Sequence, residues 1–239
     1  MLLVLLTPVL LVAGIHLSPA WLLPVLVAVP AWVVMARRLM DGLRGEAIAL
    51  VSLWAFLLAA SGIAATVLWP DKAAAVILNG TAYRDEMFGW LASGEGRESS
   101  PSIFIPQHLL HAAIFCILSL ATASTASLVM GAMLMNYMSF YVGELILRCA
   151  ASGDLPAAIL LGWNPWSALR VLSFIALGVV LSEPLLTRFT RTAFVEGRLR
   201  WIAAACAGLL LDILMKSLLS PFWPRWLGVC VIDAGVVAP

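Results

Sequence analysis

The run "HLLHAAIFCILSLATASTASLVMGAMLMNYMSFYVGELILRC", residues 108–149, decides how many times this chain crosses a bilayer. At about 1.5 Å per residue, a single helix over this run would be about 60 Å long, twice the ~30 Å hydrocarbon core of a membrane. Its middle holds the small and mostly polar segment "TASTAS", residues 122–127. We therefore predict two helices, 107–124 and 127–148, joined by a turn at this segment.

The composition of the whole chain points to lipid as its solvent. The 239 residues are 63% hydrophobic and 11% charged, and the mean hydropathy is +1.02. Soluble domains carry about 25% charged residues, and a soluble fold of this size could not bury so much apolar surface. We therefore predict an all-α, polytopic integral membrane helical bundle that forms a single membrane domain over residues 1–239.

Stretches long enough to cross the hydrocarbon core set the predicted spans. These are 1–17, 20–36, 47–69, 107–124, 127–148, 157–186 and 200–219. The first two are short and contain Pro8, Pro24 and Pro30, and proline kinks a membrane helix. They are also consistent with one broken, re-entrant element, so the expected number of transmembrane helices is six to seven. No basic residue precedes Arg37, so we expect a retained first helix rather than a secretory signal.

Basic residues set the predicted orientation. The loops 37–46 and 187–200 are rich in arginine, and short Lys/Arg-rich loops stay in the cytoplasm. Two crossings between 107 and 148 put both loops on the cytoplasmic side and leave loop 70–106 extracytoplasmic. We expect a bacterial inner (plasma) membrane. Within loop 70–106, "YRDEMFGWL" predicts a short interfacial helix, and "SGEGRESSP" predicts a flexible turn.

Polar side chains on the second half of the opening run form a stripe. Tyr137, Tyr141, Glu144 and Arg148 follow one another at i, i+4, i+7 and i+11 on one helix face, with Asn136 on the adjacent edge. A carboxylate in hydrocarbon costs several kcal/mol unless it is paired or protonated. We expect Glu144 to pair with Arg148, either as a structural pair near the outer boundary or as part of a proton or substrate path.

A second pair of charges lies in the last span, where Asp212 and Lys216 are also one turn apart. Opposite charges at i, i+4 neutralise each other, so we expect these two to pair. Arg170 and Glu183 are expected to extend the network. The predicted polar track thus consists of Asn136, Tyr137, Tyr141, Glu144, Arg148, Asp212 and Lys216.

Histidines and sulfur ligands raise the question of a metal. His16, His108 and His111 are all predicted near the outer boundary, where they are weak candidates to bind haem iron, copper or zinc. The methionines at 130, 133, 135 and 138 suit copper, but their helix angles favour ordinary packing. The four cysteines, at 116, 149, 206 and 230, include no CxxC pair and predict no disulfide framework. No cofactor is strongly indicated.

Three functions are consistent with these features. The first is a non-catalytic, permease-like or membrane-anchoring subunit of a larger complex, since no Walker A or GxSxG motif is present. The second is an enzyme acting at the outer leaflet on a lipid or lipid-linked substrate, with catalytic candidates His108, His111, Glu144, Asp85 and Glu86. The third is a haem- or copper-handling protein. Expected partners are the lipid bilayer and other membrane subunits or a second copy; the net charge of +1 gives no reason to expect nucleic acid.

Reporter fusions test the predicted orientation. Fusions at residues 44 and 125 should report a cytoplasmic position, and fusions at residues 90 and 152 an extracytoplasmic one, because 107–148 is expected to cross twice. An extracytoplasmic signal at residue 125 would contradict this arrangement.

Overall fold

A computed structural model describes residues 2–152, 154–190 and 197–232, which contain helices and no strand. The helices are α1 (Leu2–Leu17), α2 (Leu23–Met40), α3 (Arg44–Leu68), α4 (Pro70–Val76), α5 (Gly80–Ser93), α6 (Pro101–Thr122), α7 (Thr125–Ser152), α8 (Leu155–Leu161), α9 (Pro165–Thr190), α10 (Arg198–Leu219) and α11 (Trp223–Ile232).

Five of these segments are long and apolar enough to cross a membrane. They are α2, α3, α6, α10 and the segment Leu155–Arg188, which comprises α8 and most of α9; α1 is a shorter apolar helix. The chain is therefore an all-α membrane helical bundle, as predicted. The predicted span 157–186 is interrupted between α8 and α9, where Pro165 opens the second helix.

The central helix is α7, and it is not among the five apolar spans. It contacts α2, α3, α5, α6, α8 and α11. Most of its surface therefore faces protein, so its polar residues do not meet lipid. This explains why the predicted span 127–148 is less apolar than its neighbours, although α7 is long enough to cross.

The predicted break in the opening run is confirmed. Helix α6 ends at Thr122 and α7 begins at Thr125, and the two residues between them have positive φ angles, 47° at Ala123 and 63° at Ser124. The indole of Trp32 donates a hydrogen bond to the Ala123 carbonyl at 2.9 Å, and the Ser124 hydroxyl donates one to the Gly178 carbonyl at 2.7 Å. These bonds tie the turn to α2 and α9.

The segment 70–106 differs from its prediction as a loop. Helices α4 and α5 cover most of it, and α6 begins at Pro101 rather than at 107, so Pro106 lies inside the helix. The apolar face of α5, with Met87, Trp90 and Leu91, is buried against α7 and α11. The short helix predicted for this stretch is therefore present as α5, and it packs against the bundle.

Contacts between distant residues bring the α2–α3 loop and the last turns of α9 to one end of the bundle. Arg44, in the first turn of α3, forms a buried ion pair with Glu183 near the end of α9, with Nη2 2.8 Å from Oε2. Trp32, in the second half of α2, reaches the α6–α7 turn. The α2–α3 loop, the α6–α7 turn and the last turns of α9 thus share what we call the basic end.

Small residues let α3 and α7 approach closely, as they do in many membrane bundles. A Cβ atom added at Gly143 would lie 2.6 Å from Thr66 Cβ and 3.2 Å from the Ile63 carbonyl oxygen. One added at Gly62 would lie 2.8 Å from Ser139 Cβ. These glycines therefore set the distance between α3 and α7.

Replacing each of two glycines by alanine should change the stability of the protein differently. Gly143→Ala forces α3 and α7 apart and should cost about 1–3 kcal/mol, as overpacking does. Gly89→Ala, in an exposed part of α5 with open space around it, should be neutral or stabilising because alanine favours helix. Thermal unfolding in detergent measures both changes, and equal melting temperatures for the two variants would contradict the close packing.

Candidate functional site: an elongated cavity with a charged end

A cavity of about 130 Å³ lies inside the bundle between α3, α6, α7 and α9. Each helix presents a stripe at helical spacing, and the stripe on α7 includes Ser127, Gly131, Leu134 and Met138. On α9 the lining runs from Ser167 to Val179. At helical rise this is about 18 Å, so the cavity is long and narrow.

The two ends of the cavity differ in chemistry. Toward the basic end the walls are apolar or small, and the Ser124 hydroxyl there is already hydrogen-bonded to Gly178. Toward the opposite end they are polar. The polar lining consists of Tyr83, Glu98, Gln107, His108, His111, Tyr137, Ser167 and Arg170. The cavity is therefore amphipathic along its length.

Arg170 is held at the polar end by a carboxylate behind it. Its Nε donates to Asp212 Oδ2 and its Nη2 to Asp212 Oδ1, both at 2.9 Å, and Asp212 is buried. Such a two-point, charge-assisted contact fixes the guanidinium in position. Within the described residues the remaining nitrogen, Nη1, has no hydrogen-bond partner, so Arg170, which lines the cavity, keeps unused donor capacity.

Glu98 is held at the same end by a buried lysine. The Lys216 ammonium lies 2.8 Å from Glu98 Oε2 and 4.5 Å from the centroid of the Phe104 ring. Lys216 is 1% exposed, whereas the Glu98 side chain is 18% exposed and lines the cavity. The ion pair and the cation–π contact together compensate a charge that hydrocarbon would not tolerate alone.

His108 presents a nitrogen without a partner. Its Nδ1 lies 2.6 Å from the Phe104 carbonyl oxygen, which accepts only, so we assign the proton to Nδ1. Its Nε2 then carries a lone pair, lies 4.0 Å from Asp212 Oδ2, and has no hydrogen-bond partner among the described residues. Two acceptors thus face each other beside the cavity.

All three tyrosines of the chain cluster at this end. The ring of Tyr83 lies 4.5 Å from that of Tyr137 and 6.0 Å from that of Tyr141, between centroids. Burial raises the pKa of Tyr83 well above its ordinary value, and the nearby Glu98 charge adds to the rise. Tyr83 therefore remains a neutral hydroxyl beside the carboxylate at physiological pH.

The predicted pairs within single helices are not formed. Glu144 pairs with Arg84 of α5, at 3.6 Å, while the Arg148 guanidinium lies 4.4 Å from the centroid of the Phe88 ring. Asp212 and Lys216 each bind a partner on another element, as described above. The expectation of i, i+4 pairing was wrong because charges from other elements offer better geometry than a neighbour one turn away.

The predicted extension of the network is half right. Arg170 joins Asp212, but Glu183 pairs with Arg44 at the basic end. Within the polar track only Tyr137 lines the cavity, with Asp212 and Lys216 behind the wall. Asn136 and Tyr141 are buried outside the cavity lining, and Asn136 Oδ1 and the Tyr141 hydroxyl have no hydrogen-bond partner in the described part of the chain.

Some of the predicted catalytic residues line the cavity and others do not. His108 and His111 line the cavity. Asp85 and Glu86 lie on α5 outside the lining and are exposed, Asp85 bonded to Arg84 at 2.8 Å and Glu86 lying 3.7 Å from Arg97. The structure does not bring these carboxylates to the histidines.

The three histidines do not share a site. His16 on α1 lies 2.8 Å from the Lys72 ammonium and 5.0 Å from the Trp69 ring, between centroids, whereas His108 and His111 lie on α6. Within residues 2–152, 154–190 and 197–232, no group of three or more His, Cys, Asp or Glu side chains is placed to hold a metal ion.

The sulfur side chains give two results. Of the four methionines in the opening run, those at 135 and 138 line the cavity and those at 130 and 133 do not. Cys149 is disulfide-bonded, whereas Cys116 and Cys206 are free. The expectation of no disulfide was therefore wrong for Cys149.

Glu98 was missed by the sequence analysis. Its segment reads as a flexible turn by composition, and the backbone between α5 and α6 is indeed a short non-helical connection. The sequence feature that could have indicated an acidic partner was Lys216. A lysine inside an apolar helix requires an anionic partner. Because Asp212 pairs with Arg170, the partner of Lys216 must be an acidic residue from another element.

Comparisons with protein families, curated proteins and solved structures found no match for this chain.

Removing Asp212 should destabilise the bundle. In Asp212→Ala the Arg170 charge loses its partner, and breaking a buried pair costs about 3–5 kcal/mol. The double variant Arg170→Met/Asp212→Leu removes both charges and should recover most of that loss. Asp85→Ala, at an exposed position, should change stability by less than about 0.5 kcal/mol. The measurement is the melting temperature of each variant in detergent. Equal melting temperatures for Asp212→Ala and Asp85→Ala would contradict a stabilising role of the Arg170–Asp212 pair.

Proposed function

We propose that this protein is a non-catalytic, permease-like membrane protein that receives an amphipathic molecule in the cavity. The observation that carries the proposal is the division of that cavity into an apolar length and a charged end. The apolar part of a small ligand would lie between the stripes of α7 and α9, and its polar group would lie among Glu98, His108 and Arg170. Pockets that combine apolar walls with a few placed polar groups are the usual form of small-molecule sites.

The size of the cavity limits the ligand. Its volume of about 130 Å³ is close to that of an engineered apolar cavity of about 150 Å³ that holds one benzene molecule. A small amphiphile of about that size fits this volume, whereas a phospholipid or a full-length acyl chain does not.

The polar end lies away from the basic end, which we propose to be cytoplasmic in a bacterial inner membrane. The ligand would then enter or leave on the extracytoplasmic side. Transport would depend on partner subunits or a second copy, which the apolar outer faces of α6 and α10 can accommodate.

His108 supports a second candidate function, that of an enzyme acting on the same ligand. Its Nε2 lone pair lies beside the cavity without a partner among the described residues, which is the position of a general base. In that case wild-type preparations would accumulate a chemically altered amphiphile that His108→Gln preparations lack. Retention of the same unaltered molecule by both proteins favours the non-catalytic function.

Filling the cavity should expel its ligand. A Cβ at Gly131 meets open space, so leucine there extends into the cavity; Gly89→Leu adds the same side chain at an exposed site on α5. Losing about 1.5–3 kcal/mol of apolar burial lowers occupancy about tenfold or more. Mass spectrometry of amphiphiles retained through purification should show this loss in Gly131→Leu only. Equal retention by wild type and both variants would contradict binding in the cavity.

A further inference from the structure

The charges in the cavity wall are each neutralised by a partner outside the lining. Among Asp, Glu, Lys and Arg, the described lining contains Glu98 and Arg170. Lys216 lies 2.8 Å from Glu98, and Asp212 lies 2.9 Å from Arg170. The side chains of Lys216 and Asp212 are each 1% exposed, against 18% for Glu98 and 22% for Arg170. A ligand therefore meets Glu98 and Arg170, while the compensating charges stay behind them.

This arrangement opposes a charged ligand. Each ion pair is neutral as a whole, so an ion entering the cavity finds no free counter-charge among the described side chains of the lining. A buried charge without a partner is costly. A zwitterion would lose the hydration of two charges and would compete with Lys216 and Asp212 for partners that they already hold. A neutral polar group avoids both costs.

Hydrogen-bonding capacity of both kinds remains at the polar end. Lys216 contacts Glu98 at Oε2, and an ionised carboxylate offers about four acceptor sites over its two oxygens. His108 Nε2, beside the cavity, is a further acceptor without a partner in the described part of the chain. Arg170 uses Nε and Nη2 for Asp212, which leaves the donors of Nη1. A hydroxyl group is small and neutral, and it both donates and accepts, so it can use either kind of group.

The apolar part of the cavity has the volume and the walls for one ring. Its volume of about 130 Å³ is close to that of the engineered cavity of about 150 Å³ that holds benzene. Trp54, Phe115 and Phe174 line it, and the centroids of the two phenylalanine rings are 4.8 Å apart. Aromatic rings favour contact with one another at centroid distances of about 4.5–7 Å. These walls therefore suit an aromatic ring.

We propose that the ligand is a small phenol, a single aromatic ring with a neutral hydroxyl group. The ring lies among the aromatic side chains, and the hydroxyl group lies at the polar end. This inference rests on the proposed function, since it names the class of amphipathic molecule that the cavity receives.

Charge compensation from behind the wall has a consequence that a merely structural ion pair does not share. In Asp212→Asn the Arg170 guanidinium keeps its charge but loses its counter-charge, so the cavity should then favour an anion. In Lys216→Met the Glu98 carboxylate is left in the same position, so the cavity should favour a cation. Lower stability alone would weaken all ligands together and would not change which charge is preferred.

The test compares five probes that share one ring, which are phenol, toluene, benzoate, benzylammonium and zwitterionic phenylglycine. Their binding to the full-length protein in nanodiscs is measured by equilibrium dialysis at neutral pH, with Gly131→Leu in the same nanodiscs as the blank for partitioning into lipid. Phenol should bind about tenfold tighter than each of the three charged probes and several-fold tighter than toluene. Asp212→Asn should bind benzoate tighter than phenol, and Lys216→Met should bind benzylammonium tighter than phenol.

The outcomes separate the identity of the ligand from the existence of the site. Binding above the blank without a preference for phenol, or with a preference for a charged probe, would overturn the phenol assignment and keep the cavity as a binding site. Absence of binding above the blank for all five probes would contradict the proposed function. Melting temperatures show which variants fold. A folded Asp212→Asn or Lys216→Met with the wild-type order of affinities would contradict charge compensation, and the wild-type order itself depends on neither variant.

Discussion

A charge placed inside hydrocarbon needs a partner, and on α10 that requirement determines how α9 and the connection between α5 and α6 lie. Asp212 and Lys216 are both buried although most of α10 faces outward. Asp212 forms an ion pair with Arg170 of α9, and Lys216 forms one with Glu98 in the connection between α5 and α6. The helix is therefore held by directional contacts at fixed points, which matters because apolar side chains gain little by leaving lipid for protein.

The same contacts create the polar end of the cavity. Arg170 and Glu98 are each fixed by an ion pair and line the cavity, so the groups that stabilise the bundle also form part of the site. The apolar length of the cavity follows from α7, whose small residues at 127 and 131 leave space between the helices. Because α7 is surrounded by protein, it can carry the polar side chains that a lipid-facing helix could not.

Sequence reasoning reached the features that depend on length and local composition. The mismatch between a helix of about 60 Å and a core of about 30 Å predicted the break at 122–127, and the structure has it at Ala123 and Ser124. Pairing between charges could not be predicted in the same way. Periodicity identifies which charges share a helix face, as with Asp212 and Lys216, but the better-placed partners come from elements whose approach depends on the whole fold. The cavity could not be predicted from the sequence for the same reason, since its walls come from helices distant in sequence.

A crystal structure grown from a lipid mesophase would test the central claim most directly, because it would show what lies between α7 and α9 when lipids are present. We expect non-protein density beside Gly131, with its polar end toward Glu98 and Arg170. A cavity closed by rearranged side chains, or one filled by water alone, would contradict an intramembrane site for an amphipathic ligand.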